Sequence, residues 1–227
     1  MNSFKATDYM KINYRVLVLL AGFTFLISCA KKTNGDSTAT DSISVSKELS
    51  GNAINADSVM GFHKTMSLYG ITFDVKCPNN SSLNAVTIIP KGLEIDNSPI
   101  IAEADGTVTE ADIADIDLDG SPEVYVFVTN AGSGSYGSLI AYSANNKKSL
   151  SQIYLPDLME DKKNSIGYAG HDEMAIIETT FSRRFKVYDK NYKPTSTVRQ
   201  LQYKLSKGEN GYLLKLAQSI DMELKGK

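Results

Sequence analysis

From Ile71 onward the chain alternates. Ile71, Phe73 and Val75 are separated by Thr72, Asp74 and Lys76, the period of two that marks a half-buried strand. Val86 and Ile88 carry the pattern on as far as Pro90. Phe185 and Val187 alternate with Lys186 and Tyr188, and Leu201, Tyr203 and Leu205 with Gln200, Gln202 and Lys204. A denser run, Val124-Tyr-Val-Phe-Val128, reads as a central strand. Turn residues punctuate these segments at Asn79 to Ser82, Lys91-Gly92, Asp105-Gly106, Asn145 to Lys148, Asp189 to Asn191 and Gly208 to Gly211. The spacing predicts an all-β domain, an antiparallel sandwich or flattened barrel of about eight or more strands. No helical pattern alternates with the strands, which argues against a parallel α/β fold. Ser58 to Leu68 reads as a short helical lead-in, and Pro156 to Ser165 as a long loop.

The N-terminus follows a different pattern. Lys11 and Arg15 precede an apolar run from Val16 to Ile27, the size of a signal-peptide core and short for a membrane span. The run ends in Leu26-Ile-Ser-Cys29, which resembles a bacterial lipobox and implies cleavage before Cys29 and acylation of that cysteine. Met10 is an alternative start. Residues 30–57 are rich in Ser, Thr, Asp, Asn and Lys and lack aromatic residues, the composition of a tether. The expected organisation is a lipoprotein signal peptide over 1–28, a lipidated flexible linker over 29–57 and a β domain over 58–227.

Composition narrows the function. Of 227 residues, 42% are hydrophobic and 22% charged, as in ordinary globular domains. Twelve Tyr and eight Phe without Trp favour a β-rich domain. The whole chain has net charge −2 and the leader +2, which leaves −4 on the remainder. That acidic balance argues against nucleic acid and favours a cationic protein partner. With Cys29 lipidated, Cys77 has no partner and reads as a small buried hydrophobe.

Two segments could carry chemistry. Asn130-Ala-Gly-Ser-Gly-Ser-Tyr-Gly-Ser138 joins two strands and presents Tyr136 among glycines and serines. Asp115-Ile-Asp-Leu-Asp-Gly-Ser-Pro-Glu123 places carboxylates at alternate positions before a glycine, as calcium loops do. Asp115, Asp117, Asp119 and Glu123 are the candidate ligands, and a self-capped Asp/Gly turn is the competing explanation. A hydrolase is the weakest reading. His63 and His171 are the only histidines, and Gly132-Ser-Gly-Ser-Tyr136 lacks the last glycine of a nucleophile elbow. Arg183-Arg184 and Arg199 read as solvated or paired side chains without a function.

Several stretches together resemble the periplasmic inhibitors of invertebrate-type (I-type) lysozyme. The marker is Ser133-Gly134-Ser135-Tyr136, an instance of Ser-Gly-x-Tyr in a strand-connecting loop. Asp115 to Glu123, Gly132 to Tyr142, Gly167 to Glu173, Arg183 to Phe185 and Arg199 to Leu205 also look like that family, and the likeness spans roughly 67–218. Leu118 departs from it, since the family's acidic turn often has glycine there. The resemblance implies a non-enzymatic inhibitor whose Ser133 hydrogen-bonds in the lysozyme catalytic centre while Tyr136 packs in the substrate groove. The implied partners are I-type lysozyme and, through Cys29, a membrane. A homodimer is left open. No cofactor beyond calcium is expected. The implied location is the bacterial cell envelope, at the outer membrane facing the periplasm or the surface. The competing reading is a calcium-binding surface lipoprotein that recognises glycan or a host protein.

Overall fold

The computed structural model describes residues 61–208 and 211–224. The signal peptide, Cys29 and the linker lie outside the described residues. β1 (Phe62–Leu68), β2 (Ile71–Cys77), β3 (Leu83–Lys91) and β4 (Ile100–Asp105) form an antiparallel sheet in that order. β5 (Thr107–Ala114), β6 (Glu123–Thr129), β7 (Gly137–Asn145) and β8 (Ser149–Tyr154) begin a second sheet. β9 (Glu173–Ile177), β10 (Thr180–Tyr188), β11 (Pro194–Lys207) and β12 (Tyr212–Glu223) complete it. Its order is β5-β6-β7-β8-β12-β11-β10-β9, an eight-stranded, nearly closed, barrel-like sheet. The all-β expectation holds.

Three details depart from the sequence reading. Phe62–Leu68 is a strand and not part of a helix: Phe62, Lys64, Met66 and Leu68 face inward and His63, Thr65 and Ser67 outward. A two-residue hairpin turn at Tyr69-Gly70, with φ of 50° and 83°, returns it onto β2. The second sheet contains one parallel pair, β12 beside β8, with Tyr212 opposite Ile153 and Leu213 opposite Tyr154. The long excursion from β8 through β9, β10 and β11 brings β12 back in the same direction as β8. The loop after β8 holds a 3-10 turn, Leu158–Glu160, whose start is capped by Asp157 accepting from the Met159 N–H at 2.9 Å.

β6 organises the packing. Glu123 through Val128 are all buried. Val124, Val126 and Val128 point into a core shared with Phe73, Val75, Val86 and Ile88 of the first sheet. Tyr125 and Phe127 point the other way, toward Phe181, Phe185, Leu201, Tyr203 and Leu214. A strand's period of two is what lets one segment serve two cores. Each large apolar side chain so buried contributes about 1.5–3 kcal/mol. Cys77 is buried and unpaired, as expected, and its thiol donates to Asn79 Oδ1 at 3.1 Å. The two candidate segments sit at opposite ends of this strand.

Candidate functional site

The glycine-rich loop follows β6 and leads into β7. The Asn130 N–H donates to the Tyr136 carbonyl at 2.9 Å and closes the loop's base. The Gly132 N–H donates to Asn130 Oδ1 at 2.6 Å, a side-chain-built turn. The Ser135 N–H donates to the Gly132 carbonyl at 2.9 Å, so Gly132 to Ser135 form a β-turn. Ser133 is exposed at the turn and Ser135 takes φ 44°. A Cβ on Gly134 would stand 2.3 Å from the Tyr136 ring, so only glycine lets that ring lie across the turn. Tyr136 is 48% exposed.

The sequence reading found few apolar neighbours for Tyr136 in its own loop. The structure supplies one from elsewhere. Tyr168 meets it edge to face at 5.6 Å, and Tyr168 in turn packs on the core ring of Phe185 at 4.7 Å. The exposed ring therefore rests on the half-buried Tyr168, which is itself seated on the buried Phe185. Beside it lies a depression lined by Ser138, Leu139, Pro156 and Met159.

Gly167 to Asp172 runs under the loop. The His171 N–H donates to the Gly134 carbonyl at 2.7 Å. It is the backbone of His171 that makes this contact. Gly170 takes φ 83°, and a Cβ there would lie 1.9 Å from the Gly134 oxygen. Asp172 has no exposed side-chain surface and accepts three hydrogen bonds. They come from the Gly137 N–H at 2.7 Å, the Tyr168 hydroxyl at 2.6 Å and Arg183 Nε at 2.7 Å. Arg183 Nη2 also donates to the Tyr168 hydroxyl at 2.5 Å and to the Gly137 carbonyl at 3.4 Å. The guanidinium lies 5.0 Å from the Tyr168 ring centre. Burial alone would lower the Arg183 pKa, but the hydrogen bond and charge of Asp172 more than offset it and hold it above its usual range. Burial raises the Tyr168 phenol. Arg183 and Asp172 are thus a charged pair in a nearly dry setting, beneath a loop that itself carries no charge.

Arg183 is the residue the sequence reading missed. Adjacent arginines at a strand start suggest a solvated pair, yet only Arg184 is exposed, bonded to Glu173. The signal available was period two along β10: Phe181, Arg183 and Phe185 share one face.

At the other end of β6, the acidic turn folds on its own carboxylates. Asp115 accepts from the N–H groups of Asp119 and Gly120 at 3.1 and 3.0 Å, and Asp119 from that of Ser121 at 2.7 Å. Glu123 is fully buried and accepts from the Ile116 N–H at 2.9 Å. One carboxylate oxygen each from Asp115, Asp117, Asp119 and Glu123 lie within 4.8 Å of one another. Burial pushes the Glu123 carboxyl up to about 8, and the neighbouring aspartates add to the shift. Burial and Asp119 also raise Asp117, whose Oδ1 is buried with no hydrogen-bond partner among the described residues. Leu118 takes φ 60°, the region that favours glycine.

Fold and loop together define an all-β module that presents an uncharged, braced loop with an exposed aromatic ring at a hairpin tip. Residues 96–167 match the model of a known family, periplasmic lysozyme inhibitor of I-type lysozyme. The matched span holds β4 to β8, the acidic turn and the glycine-rich loop, so the resemblance drawn from those stretches is found independently. The match supports a periplasmic lysozyme inhibitor. No curated protein matches the chain.

Proposed function

We propose that this chain inhibits I-type lysozyme by inserting Ser133-Gly134-Ser135-Tyr136 into the active-site cleft. The observation that carries the reading is Tyr136, half exposed on a loop pinned from below, within the span that matches the inhibitor family. Lysozymes hydrolyse glycan with a pair of carboxylic side chains in a groove. Hydroxyls and backbone N–H groups are donors for such carboxylates, and the loop brings no charge that must be desolvated on entry. A hydrogen bond to a charged group contributes about 1.5–3 kcal/mol, and a packed tyrosine is a frequent binding hot spot. A preformed loop also avoids the ordering cost of about 0.5–1.5 kcal/mol per immobilised side chain. A lipid on Cys29 would tether the inhibitor in the envelope, at the outer membrane.

The test is a titration of the purified protein against I-type, chicken-type and goose-type lysozymes. Tight inhibition of the I-type enzyme is expected, and turnover of any glycan by the protein itself is not. Absence of I-type inhibition overturns the reading. For the anchor, Cys29→Ala should abolish labelling with palmitate, and unchanged labelling overturns it.

A second reading concerns calcium at Asp115, Asp117, Asp119 and Glu123. The unpartnered Asp117 Oδ1 beside three other converging carboxylates favours it. Hard oxygen donors in this number suit calcium. Millimolar calcium should raise the melting temperature of chelator-treated protein by mass action, and no shift leaves a self-capped turn. If calcium serves glycan or host-protein binding instead of inhibition, a chelator will abolish that binding.

A further inference from the structure

The glycine-rich loop is held only in part by its own bonds. Its internal bonds, Asn130 to Tyr136, Asn130 to Gly132 and Gly132 to Ser135, define the turns and the base, and Gly137 stands opposite Thr129 where the β6–β7 ladder begins, but the Gly137 N–H turns to a group from elsewhere. That N–H is met by one buried carboxylate. Asp172 accepts the Gly137 N–H, and Arg183 and Tyr168 also donate to it. None of these bonds belongs to a strand ladder: β7 pairs with β6 and β8, while β9 and β10 pair with each other and with β11. The cluster joins the start of β7, at the base of the glycine-rich loop, to β10 and the segment before β9, which do not pair with it. The backing segment matches the loop in shape as well, because Gly170 leaves room for the Gly134 carbonyl and His171 donates to it.

We infer that Asp172, Arg183 and Tyr168 are positioning residues that fix the glycine-rich loop in one conformation, with Tyr136 resting on the Tyr168 ring. Their effect on lysozyme rests on the inhibitor reading above; their effect on the loop does not. Asp172 acts through the Gly137 N–H and through the two side chains it orients. Tyr168 has a double duty. Its hydroxyl accepts from Arg183 and donates to Asp172, while its ring supports Tyr136. Arg183 neutralises the buried carboxylate, so the device adds no net charge beneath a loop that must enter an acidic cleft.

The experiment uses the full chain and two mild variants, Asp172→Asn, which keeps the shape and loses the charge, and Tyr168→Phe, which loses one hydroxyl. Amide exchange and backbone relaxation are read at Gly134 to Gly137 in the free protein, with the β2–β3 ladder amides as internal reference. Asp172→Asn should speed exchange at Gly137 by about tenfold or more relative to that reference, and Tyr168→Phe by less. A merely structural role would speed both regions together. Affinity for I-type lysozyme should fall about tenfold in Asp172→Asn, mainly through faster dissociation. Should Asp172→Asn fail to fold, Tyr168→Phe alone decides, through the same exchange ratio. An unchanged ratio overturns the inference even if the parent inhibits lysozyme. A loosened loop in a protein whose parent binds no lysozyme supports the brace and overturns the inhibitor reading alone. A loosened loop with undiminished affinity overturns the link between brace and binding.

Discussion

The two ends of β6 are fixed in opposite ways. The acidic turn before it is closed by carboxylates that bond N–H groups two to seven residues away in sequence. The glycine-rich loop after it is held by Asp172 and Arg183, 35 and 46 residues from Gly137. The first end can form as soon as its own segment folds. The second is complete only when β9 and β10 have docked, because its partners arrive with them. The local end concentrates charge and buries a carboxylate, whereas the braced end hides its charges and shows solvent an uncharged loop. That difference suits a scaffold turn and a binding tip respectively.

The contrast can be broken by mutation, and the largest effect belongs at the braced end. Arg183→Met would leave Asp172 buried without its counter-ion, which should cost about 3–5 kcal/mol of stability in urea unfolding. A loss below about 1 kcal/mol would mean that Asp172 is satisfied by the Gly137 N–H and Tyr168 alone, and that the brace is weaker than its geometry. At the local end, Asp115→Ala removes the acceptor of two N–H groups and should cost about 1–2 kcal/mol, with lysozyme inhibition unchanged. Inhibition that falls in step with Asp115 would erase the distinction between the ends.

The smallest expected effect comes from a site apart from both, in the first sheet. Burial works against ionisation of Asp74, but hydrogen bonds from Lys76, His63 and Thr65 hold its carboxyl down at about 2. A depressed carboxyl contributes stability that is present above its unfolded value near 3.8 and is lost as pH falls through 2. Unfolding midpoints measured from pH 5 to pH 2 should therefore decline less steeply in Asp74→Asn than in the parent. An identical slope in the two proteins would remove Asp74 from the acid response and leave acid loss to other carboxylates.

How much of this was legible in the sequence follows the same division. Alternation marked β2, β3, β10 and β11, because period two is written in adjacent residues. The acidic turn was legible as well, since Asp115, Asp117, Asp119 and Gly120 announce their own local bonds. The glycine-rich loop was recognisable as a loop and by its Ser-Gly-Ser-Tyr motif, yet its support was not. Nothing near Tyr136 in sequence points to Tyr168, and Arg183 beside Arg184 looks like half of a solvated pair. Phe62–Leu68 was misread because its inward residues include Lys64, whose ammonium bonds Glu110 and the Ala111 carbonyl and so masks the alternation. The parallel meeting of β12 and β8 depends on the path of more than fifty residues between them, which no local pattern encodes.

The central claim is that the loop after β6 is a binding plug and not a piece of core. The direct measurement is paired: melting temperature and inhibition constant against I-type lysozyme for the parent and Tyr136→Ala. Because the ring is half exposed and its aromatic contact is a single edge-to-face one with Tyr168, the free protein should melt within a few degrees of the parent. The inhibition constant should rise roughly thirty-fold to a thousand-fold, about 2–4 kcal/mol. A Tyr136→Ala protein that inhibits as well as the parent, or one that melts tens of degrees early, would contradict the account.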